Sequence, residues 1–479
     1  MTGTVLQPPD VAAAEAERAR PVRLSRGAWA WASFQGARDP YVMLVTIYVF
    51  APYFATVVAG NAVRGQGLVA GIGLASGLFT AFTAPLLGSS IDGLGRRKPW
   101  LLLATALMVV CEASLWWVAP AHGEGAVRLG VLLLFMLGVL FPYTDVLHNS
   151  LLTRAADRSQ APHASGLALA WGNAASVLML VLVMWAFALP AAHVGWPLIP
   201  SKPLFGLNAA SHETARIVAP LCALVLAVGA IPLFLFARDA DRTGLGLGRG
   251  LRQGLTGLFA TVRSLGRHRD VARFLGARML YTDGMTALLS FGGVYAAGVM
   301  HWGVLQMLGY GILLSVFAVV GGFAGAQLDH RLGPSTAIRI EIAGAVLFQF
   351  ALLGMRRDRI LFFWPYDPAA HAPVWNGPMF RTLPEVIFLL LGFGLAIVVT
   401  ASYASSRTLL TRLAPEGQTA SFFGLYALSG TATVWLGSLL VGAATAIFKT
   451  QQAGFASVAL LLLLGLAGMF TVRGGRREQ

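Results

Sequence analysis

The feature that most constrains this chain is a succession of twelve long apolar segments. Each reaches the ~20 residues that a helix needs to cross the hydrocarbon layer of a membrane. Many of them carry Gly, Ala, Ser and Thr at close spacing, which lets neighbouring helices pack tightly in lipid. The segments are centred within residues 40–60, 68–91, 99–119, 127–150, 164–189, 215–237, 274–299, 304–328, 335–355, 383–405, 419–447 and 451–472. The sequence therefore predicts an all-α membrane protein with twelve transmembrane helices.

The composition agrees with a membrane protein. Hydrophobic residues make up 56% of the 479-residue chain and charged residues only 12%, whereas a soluble protein of this length needs more charge on its surface. The formal net charge of +14 does not indicate a nucleic-acid partner, because the basic residues are dispersed through short loops between apolar segments. In that setting they orient the protein and contact anionic lipid headgroups.

No sequence signature of an enzyme or an ATP-driven pump is visible. Cys111 and Cys222 both lie inside apolar segments, so neither a disulfide framework nor a thiol site is indicated. No His/Cys cluster has metal-ligand spacing, and no phosphate-binding loop or nucleophile motif occurs. We therefore expect no enzymatic activity, no metal and no cofactor.

Lys and Arg residues are unevenly divided between alternate loops. If the N-terminus is cytosolic, the loops on its side hold 26 of the 35 Lys and Arg residues, which predicts that both termini are cytosolic. The first 27 residues lack the apolar core of a signal peptide.

The basic segment 238–272 separates the sixth and seventh apolar segments. Its helical spacing of Leu and Phe opposite Arg predicts an amphipathic helix on the inner leaflet, with a solvated linker as the alternative. We thus divide the chain into a disordered tail (1–27), a six-helix bundle (28–237), a basic linker (238–272), a second six-helix bundle (273–472) and a cytosolic tail (473–479).

A loop between the second and third segments recurs between the eighth and ninth, and its two aspartates lie 237 positions apart. A second internal sequence repeat aligns Ser150–Arg154 with Thr408–Arg412. Such duplication indicates two six-helix pseudo-repeats, the usual architecture of secondary transporters. We predict a gating or structural role for the residues of both loop copies, with a loop that only fixes topology as the alternative. These residues are Gly88, Asp92, Gly95, Arg96 and Arg97 in the first copy and Gly325, Asp329 and Arg331 in the second.

The first loop resembles the signature of the major facilitator superfamily, and further stretches resemble its Atg22-like (UMF1) family. These stretches are Asp39–Tyr41, Tyr48–Phe54, Asn149–Leu152, Ser165–Gly166, Tyr281–Gly284, Ser406–Arg407 and Phe422–Tyr426. The resemblance covers nearly the whole chain. It implies the major facilitator fold and the transport of small molecules by alternating access. The eukaryotic branch of that family is associated with amino-acid efflux from the vacuole.

Ionisable groups at membrane depth are costly, so each one suggests a functional role. Asp283 is our first candidate for binding a substrate ammonium or a proton, with pairing to Arg278 as the alternative, and the adjacent Gly284 predicts a bend in the helix. Asp145, His148 and Asn149 share one helical face by their spacing. That face predicts a proton-binding or relay site, and the alternative is pairing of these groups with Arg154 or Arg158.

Three further residues complete the candidate substrate or proton site. Arg407 lies beside several serines and is suited either to holding a substrate carboxylate or to closing the cytosolic gate. Tyr281 and Tyr53 belong to aromatic groups that either line a cavity or only pack. Glu112 and Glu341 are assigned structural roles in similar places of the two halves, with Arg339 or a polar neighbour as the partner.

The sequence is thus interpreted as a monomeric secondary transporter of an amino acid or a similar small polar organic solute. Export is favoured over import, and the driving force is a proton or substrate gradient. The Arg-rich, Lys-poor composition favours a bacterial inner membrane. Two alternatives stay open, namely a transporter of lipids or lipophilic compounds and a non-transporting membrane scaffold.

Overall fold

The structure is a computed structural model that describes residues 24–94, 96–157, 160–239, 263, 266, 268–413, 425–426, 429–430 and 432–472. The predicted amphipathic helix of the basic linker, most of both tails and Gly95 lie outside these residues. For Gly88 and Asp92 the helical backbone is described but the side chains are not. The predictions made for those groups stay predictions.

In the part of the chain that the structure describes, a helix lies within each of the twelve predicted segments. Ten of them are long and apolar enough to cross a membrane. The helix of the seventh segment has 32 residues but carries several charges, and the eleventh is a 15-residue apolar helix. In chain order they are α1 (Arg26–Val58), α2 (Ala62–Leu94), α3 (Lys98–Trp117), α4 (Gly123–Ala155), α5 (His163–Ala191), α6 (Glu213–Phe236), α7 (Arg269–Met300), α8 (Val304–Leu332), α9 (Pro334–Leu353), α10 (Leu383–Leu413), α11 (Val434–Phe448) and α12 (Gln451–Phe470). The loop between α9 and α10 adds a short antiparallel hairpin, β1 (Arg359–Ile360) and β2 (Trp364–Pro365).

Helix α1 begins well before the apolar segment predicted for it. The Ser25 hydroxyl accepts a hydrogen bond from the Ala28 amide at 3.1 Å and so caps the helix. Arg38 and Asp39 therefore lie inside α1 rather than at its start, which corrects the sequence-based boundary. The polypeptide changes to π-helical turns over Val42–Tyr48 and Phe54–Val58, an irregularity that often accompanies functional helices.

The same packing pattern occurs in both halves of the chain. In the first half, α1 packs on α5 and α6, α2 packs on α4, and α3 packs on α4 and α6. In the second half, α7 packs on α11 and α12, α8 packs on α10, and α9 packs on α10 and α12. Each pair in one half thus has its counterpart six helices later, as a duplicated six-helix unit requires.

The halves meet mainly where α2 packs on α11, α5 on α8 and α1 on α7, and α2 also contacts α7 and α12 while α1 also contacts α8. We call the end where α2 and α8 begin the far end, and the end where they stop at Leu94 and Leu332 the motif end. The hydrogen bonds that join the halves in the described part of the chain all lie at the far end. Gln66 Nε2 donates to Thr445 Oγ1 at 2.8 Å and to the Gln451 carbonyl at 3.1 Å, and Gln451 Nε2 donates to the Ala62 carbonyl at 3.1 Å. We call these four residues the far-end latch.

Small residues let the halves approach closely beside that latch. A Cβ atom built on Gly293 of α7 would lie only 1.9 Å from the Ile47 carbonyl oxygen of α1. The next residue, Val294, packs with Ala51 and Ala55 of α1 in a separate buried cluster. The far end is therefore closed by direct backbone contact as well as by hydrogen bonds.

Candidate functional site

A cluster of charged and amide side chains joins α1 and α4 in the first half. Arg38 Nη1 lies 2.9 Å from Asp145 Oδ1, and Arg38 Nη2 lies 3.3 Å from Asp39 Oδ1. Gln35 Nε2 donates to the other Asp39 oxygen at 3.0 Å, and Asn149 Nδ2 donates to the other Asp145 oxygen at 3.1 Å. We call these five residues the first-half cluster. One arginine thus holds two carboxylates, and an amide orients each of them.

The first-half cluster lies at membrane depth and is still reached by solvent. Arg38 is twelve residues into α1, which places it about 18 Å along the helix. Its side chain is 3% exposed, whereas that of Asp145 is 45% exposed. Because a carboxylate facing lipid would be very costly, the exposed side of Asp145 belongs to a water-accessible opening. Gly172 of α5 closes the other side, since a Cβ atom there would lie 2.3 Å from Asp39 Oδ2.

His148 makes no hydrogen bond to this cluster and is fixed against Trp31 of α1. Its ring stacks on Trp31 with centroids 4.4 Å apart, and its Nε2 donates to the Trp31 carbonyl at 2.8 Å. Trp31 Nε1 donates in return to the His148 carbonyl at 2.7 Å. The predicted common face therefore brings Asp145 and Asn149 together, but it does not bring His148 to them. These contacts favour a structural role for the imidazole.

We expect His148→Ala to lower the free energy of unfolding by about 3 kcal/mol, because it empties a fully buried aromatic site. His148→Phe keeps the stacking and loses one hydrogen bond, so its cost should be about 1 kcal/mol and transport should persist. Thermal unfolding of the purified protein and transport by the same preparation test this pair. A His148→Phe protein of normal stability without transport would restore the relay hypothesis.

Asp283 of α7 lies against the start of α11 in the second half. Its Oδ2 accepts a hydrogen bond from the Gly437 amide at 3.0 Å, and its Oδ1 is buried without a hydrogen-bond partner in the described part of the chain. Helix α7 continues without interruption through Gly284, which packs on Leu462 of α12, so the discontinuity that was expected to bend the helix at that glycine is not found. The irregularity lies in the facing chain instead, where Thr433 forms a turn before α11 begins.

Arg278 does not pair with Asp283, which removes the alternative considered from sequence. The five-residue spacing puts the two side chains on different faces of α7. Arg278 Nη1 instead donates to the Tyr426 carbonyl at 2.7 Å and to Ser429 Oγ at 2.6 Å. Its guanidinium carbon lies 3.4 Å above the centroid of the Tyr426 ring, within the range of a cation–π contact.

The remaining candidates lie apart from one another. The Tyr281 and Ser406 hydroxyls lie 2.7 Å apart and tie α7 to α10. The Tyr53 hydroxyl donates to the Val118 carbonyl at 2.9 Å at the far end of the first half. The Arg407 side chain is exposed on α10. The structure therefore does not assemble these three residues into one site.

The two buried glutamates also differ from the sequence-based expectation. Glu112 lies near the far end of α3 and is fully buried, and neither carboxyl oxygen has a hydrogen-bond partner among the described residues. Glu341 lies nearer the motif end of α9 and accepts from Ser405 Oγ at 2.9 Å. Arg339 donates to the Met469 and Val472 carbonyls rather than to Glu341. The two positions are therefore not equivalent, and pairing of Glu341 with Arg339 is wrong, whereas Ser405 is a polar neighbour of the kind expected as the other possible partner.

The first motif loop is held within its own half. The amides of Arg97 and Lys98 donate to the two carboxyl oxygens of Asp239 at 2.9 and 3.1 Å, so the acid that caps α3 follows α6. Arg97 Nη1 donates to the Ser150 carbonyl at 3.0 Å, and Arg96 is exposed. The gating role predicted for this loop stays a prediction.

The second motif loop packs closely on α10. A Cβ atom on Gly325 would lie 2.9 Å from Ala401 Cα. Asp329 is 6% exposed, and its Oδ1 has no hydrogen-bond partner in the described part of the chain. Arg331 donates to the side-chain oxygen of Gln327 at 3.1 Å. The gating role of these residues likewise remains a prediction.

The sequence contained an unused signal for the two buried arginines. Arg38 and Tyr41 in α1 recur as Arg278 and Tyr281 in α7, and all four residues are buried. Each half thus begins with a helix that carries an Arg-x-x-Tyr pattern at membrane depth. Arg38 and Arg278 were both assigned to cytosolic loops because of their charge, so the repeat was missed. A comparison of the first helix of each half would have identified it.

Comparison with known sequences supports the resemblance. The profile of the family described as "Vacuole effluxer Atg22 like" matches residues 72–479. The autophagy-related protein 22 of Yarrowia lipolytica is 28% identical over 232 residues, which are 46% of this chain and 35% of the relative. That of Saccharomyces cerevisiae is 25% identical over 234 residues, 48% of this chain and 40% of the relative. The aligned region thus spans well under half of these fungal proteins.

Solved structures with the same arrangement of helices are transporters of the major facilitator fold. A D-xylose-proton symporter superposes with a TM-score of 0.64 at 12% identity and covers 94% of this chain and 98% of its own. The nucleoside transporter NupG superposes with a TM-score of 0.56 at 12% identity over 94% and 98%. At such low identity the similarity establishes the fold and not the substrate.

Proposed function

This chain belongs to the Atg22-like family of the major facilitator superfamily and is a multi-pass membrane protein, and from that premise we propose that it is a secondary active transporter of a small polar organic solute. An amino acid is the favoured solute and export the favoured direction, in line with the description of the family as effluxers. Movement of the two six-helix halves about the solute would give alternating access.

The observation that carries this proposal is the placement of charge at membrane depth in both halves. The first half holds Arg38 with two carboxylates, and the second half holds Arg278 and Asp283. Such groups are expensive in a bilayer and are retained where a polar solute or ion has to pass. They also weigh against a lipid transporter, whose groove would be largely apolar.

The contacts between the halves support alternating access over a static scaffold. The far-end latch joins the halves through three hydrogen bonds from buried glutamine side chains, one to the Thr445 hydroxyl and two to backbone carbonyls. A conformation closed at one end and reached by solvent at Asp145 has the form of one state of such a cycle. A scaffold has no need for a half-exposed carboxylate at this depth.

Coupling and orientation complete the proposal. Asp283 presents one buried oxygen without a hydrogen-bond partner in the described structure, which suits it to take up a proton or a substrate ammonium during the cycle. The distribution of Lys and Arg favours a cytosolic motif end, and the Arg-rich composition favours a bacterial inner membrane. The gradient of protons or of the solute itself would then drive export.

We expect Asp283→Asn to reduce transport by at least tenfold while the protein still folds, because asparagine can accept the same Gly437 hydrogen bond but cannot exchange a proton. The measurement is uptake of labelled amino acids into proteoliposomes, with and without an imposed pH gradient. Asp270→Asn on the exposed start of the same helix, where Asp270 pairs with Arg273, serves as the matched control and should transport normally.

Two outcomes would revise this proposal in different ways. Full transport by Asp283→Asn would leave the transporter intact and restrict Asp283 to capping α11. Failure of the wild-type protein to transport any solute of the panel in either direction would contradict the assignment of an amino-acid transporter.

A further inference from the structure

We propose that Arg278 binds the carboxylate of the transported solute, at a site between α7, α10 and the residues that precede α11. This inference rests on the proposed function and makes it specific, because it requires a solute with a carboxylate and names the residue that recognises it. Arg407, the sequence-based candidate for that task, has an exposed side chain on α10.

The first argument is that Arg278 is buried without a carboxylate partner in the described part of the chain. Its residue exposure is 5%, and no described carboxylate lies within ion-pair distance of it. The two hydrogen bonds that Arg278 donates to described residues both come from Nη1, and both acceptors are neutral oxygens. A buried arginine is normally retained with a counter-ion, since desolvating the charge is costly.

The second argument is the unused donor capacity of the guanidinium. Of its five N–H groups, the Nε group is buried without a hydrogen-bond partner among the described residues. No hydrogen bond from Nη2 to the described residues is found either. Gly430 allows this edge to lie close to the backbone, because a Cβ atom there would be 3.3 Å from Nη2. A carboxylate is the group that matches an arginine fork with two parallel hydrogen bonds.

The third argument is a second unsatisfied group on the same face of α7. Thr282 follows Arg278 by one helical turn, is 5% exposed, and its hydroxyl has no hydrogen-bond partner in the described part of the chain. Thr286 follows one turn later, and its hydroxyl lies 3.2 Å from that of Tyr403 on α10. Along one face of α7 there is thus a cation without a carboxylate partner and a hydroxyl without a hydrogen-bond partner, both among the described residues. Together they indicate a ligand with an anionic group and further polar atoms.

The fourth argument comes from comparing the two halves of the chain. Arg38, the counterpart of Arg278 in the repeated Arg-x-x-Tyr pattern, receives its counter-ion from Asp145 on α4. The offset of 258 residues that aligns Ser150–Arg154 with Thr408–Arg412 places Tyr403 at the position of Asp145. Among its described residues, the second half thus has the arginine without a carboxylate at the matching position, and the solute would supply that carboxylate.

Binding is tested directly with purified protein, by thermal shift in the presence of L-alanine, L-leucine and L-lysine, each compared with its carboxamide. We expect at least one acid to stabilise the wild-type protein at a concentration at least tenfold below that of its amide, because a site built for a charged group rejects the neutral analogue. Arg278→Gln should lose this preference. Arg278→Lys should keep only part of it, since lysine provides the charge without the fork.

A second variant tests the same site without relying on loss of function. Tyr403→Asp places an acid where the first half has Asp145, so it should pair with Arg278, raise the melting temperature and abolish the preference for acids over amides. Tyr403→Asn removes the same hydroxyl without adding charge and should do neither. The stabilisation by Tyr403→Asp should disappear when Arg278→Gln is also present.

The inference is overturned if none of the three acids is preferred over its amide, or if the preference survives in Arg278→Gln. These results are separate from a failure of the proposed function. Transport of amides as efficient as that of acids would leave a transporter and refute the carboxylate site. Selective binding of an acid at Arg278 in a protein that transports nothing would support the carboxylate site and contradict the transport function.

Discussion

Arg38→Gln is expected to lower the free energy of unfolding by about 2–3 kcal/mol and to remove most of the transport activity. The substitution leaves Asp39 and Asp145 without the cation that holds both of them. Breaking a fully buried ion pair costs about 3–5 kcal/mol, and the lower value applies here because Asp145 is half exposed and partly solvated. The measurements are thermal unfolding and proteoliposome uptake of the same preparation.

A double-mutant cycle separates the loss of the pair from the loss of the arginine itself. Arg38→Gln combined with Asp145→Asn removes both charges of the closer contact, while Asp39 keeps its hydrogen bond from Gln35. This double variant should therefore regain part of the lost stability. Arg154→Gln, an exposed arginine further along α4, is the matched control and should change stability by less than about 0.5 kcal/mol. Equal stability of Arg38→Gln and the wild-type protein would show that the cluster contributes nothing to the fold.

The fold was predictable because the membrane leaves few choices to each segment. A spanning helix has to satisfy its own backbone hydrogen bonds and present an apolar surface, so length and hydropathy locate it without knowledge of the partners. Length and hydropathy do not locate a helix correctly where charged residues inside it are paired with residues of another helix. Arg38 and Asp39 interrupt the apolar run of α1, and the sequence therefore placed the start of that helix too late. The ion pair with Asp145, 107 positions away, is what makes those charges acceptable inside the bundle.

The candidate site was less predictable, because helical periodicity specifies a face but not its partner. Asp145 and His148 share a face within the approximation of 3.6 residues per turn. The structure turns one side chain towards Arg38 and the other towards Trp31. Asp283 and Arg278 are close in sequence, which suggested that they pair with each other. Asp283 instead accepts a hydrogen bond from the backbone of α11, and Arg278 donates to a residue that precedes α11. Contacts between distant segments decided each of these cases.

Gly293→Val is expected to open the far end of the protein and to slow the transport cycle. The added side chain would occupy the space of the Ile47 carbonyl, since a Cβ atom at residue 293 would lie 1.9 Å from that oxygen. Overpacking of this kind costs about 1–3 kcal/mol. Because the cost falls only on the state in which the halves meet, it should shift the equilibrium by about 5- to 150-fold towards the state in which the far end is open.

The change is measured by the rate at which a membrane-impermeant maleimide labels a cysteine placed at Ala51, in a background without Cys111 and Cys222. Ala51 is 4% exposed and packs in the buried cluster beside Gly293, so it should be labelled slowly while the far end is closed. Gly292→Val is the matched control, because a Cβ atom on that neighbouring glycine meets no atom within 4 Å. Equal labelling rates for the two valine variants would mean that closure does not depend on the contact between α7 and α1. A selective increase for Gly293→Val, together with slower uptake, would identify this contact as part of the far-end gate, because the same steric cost would then account for both the accessibility and the transport rate.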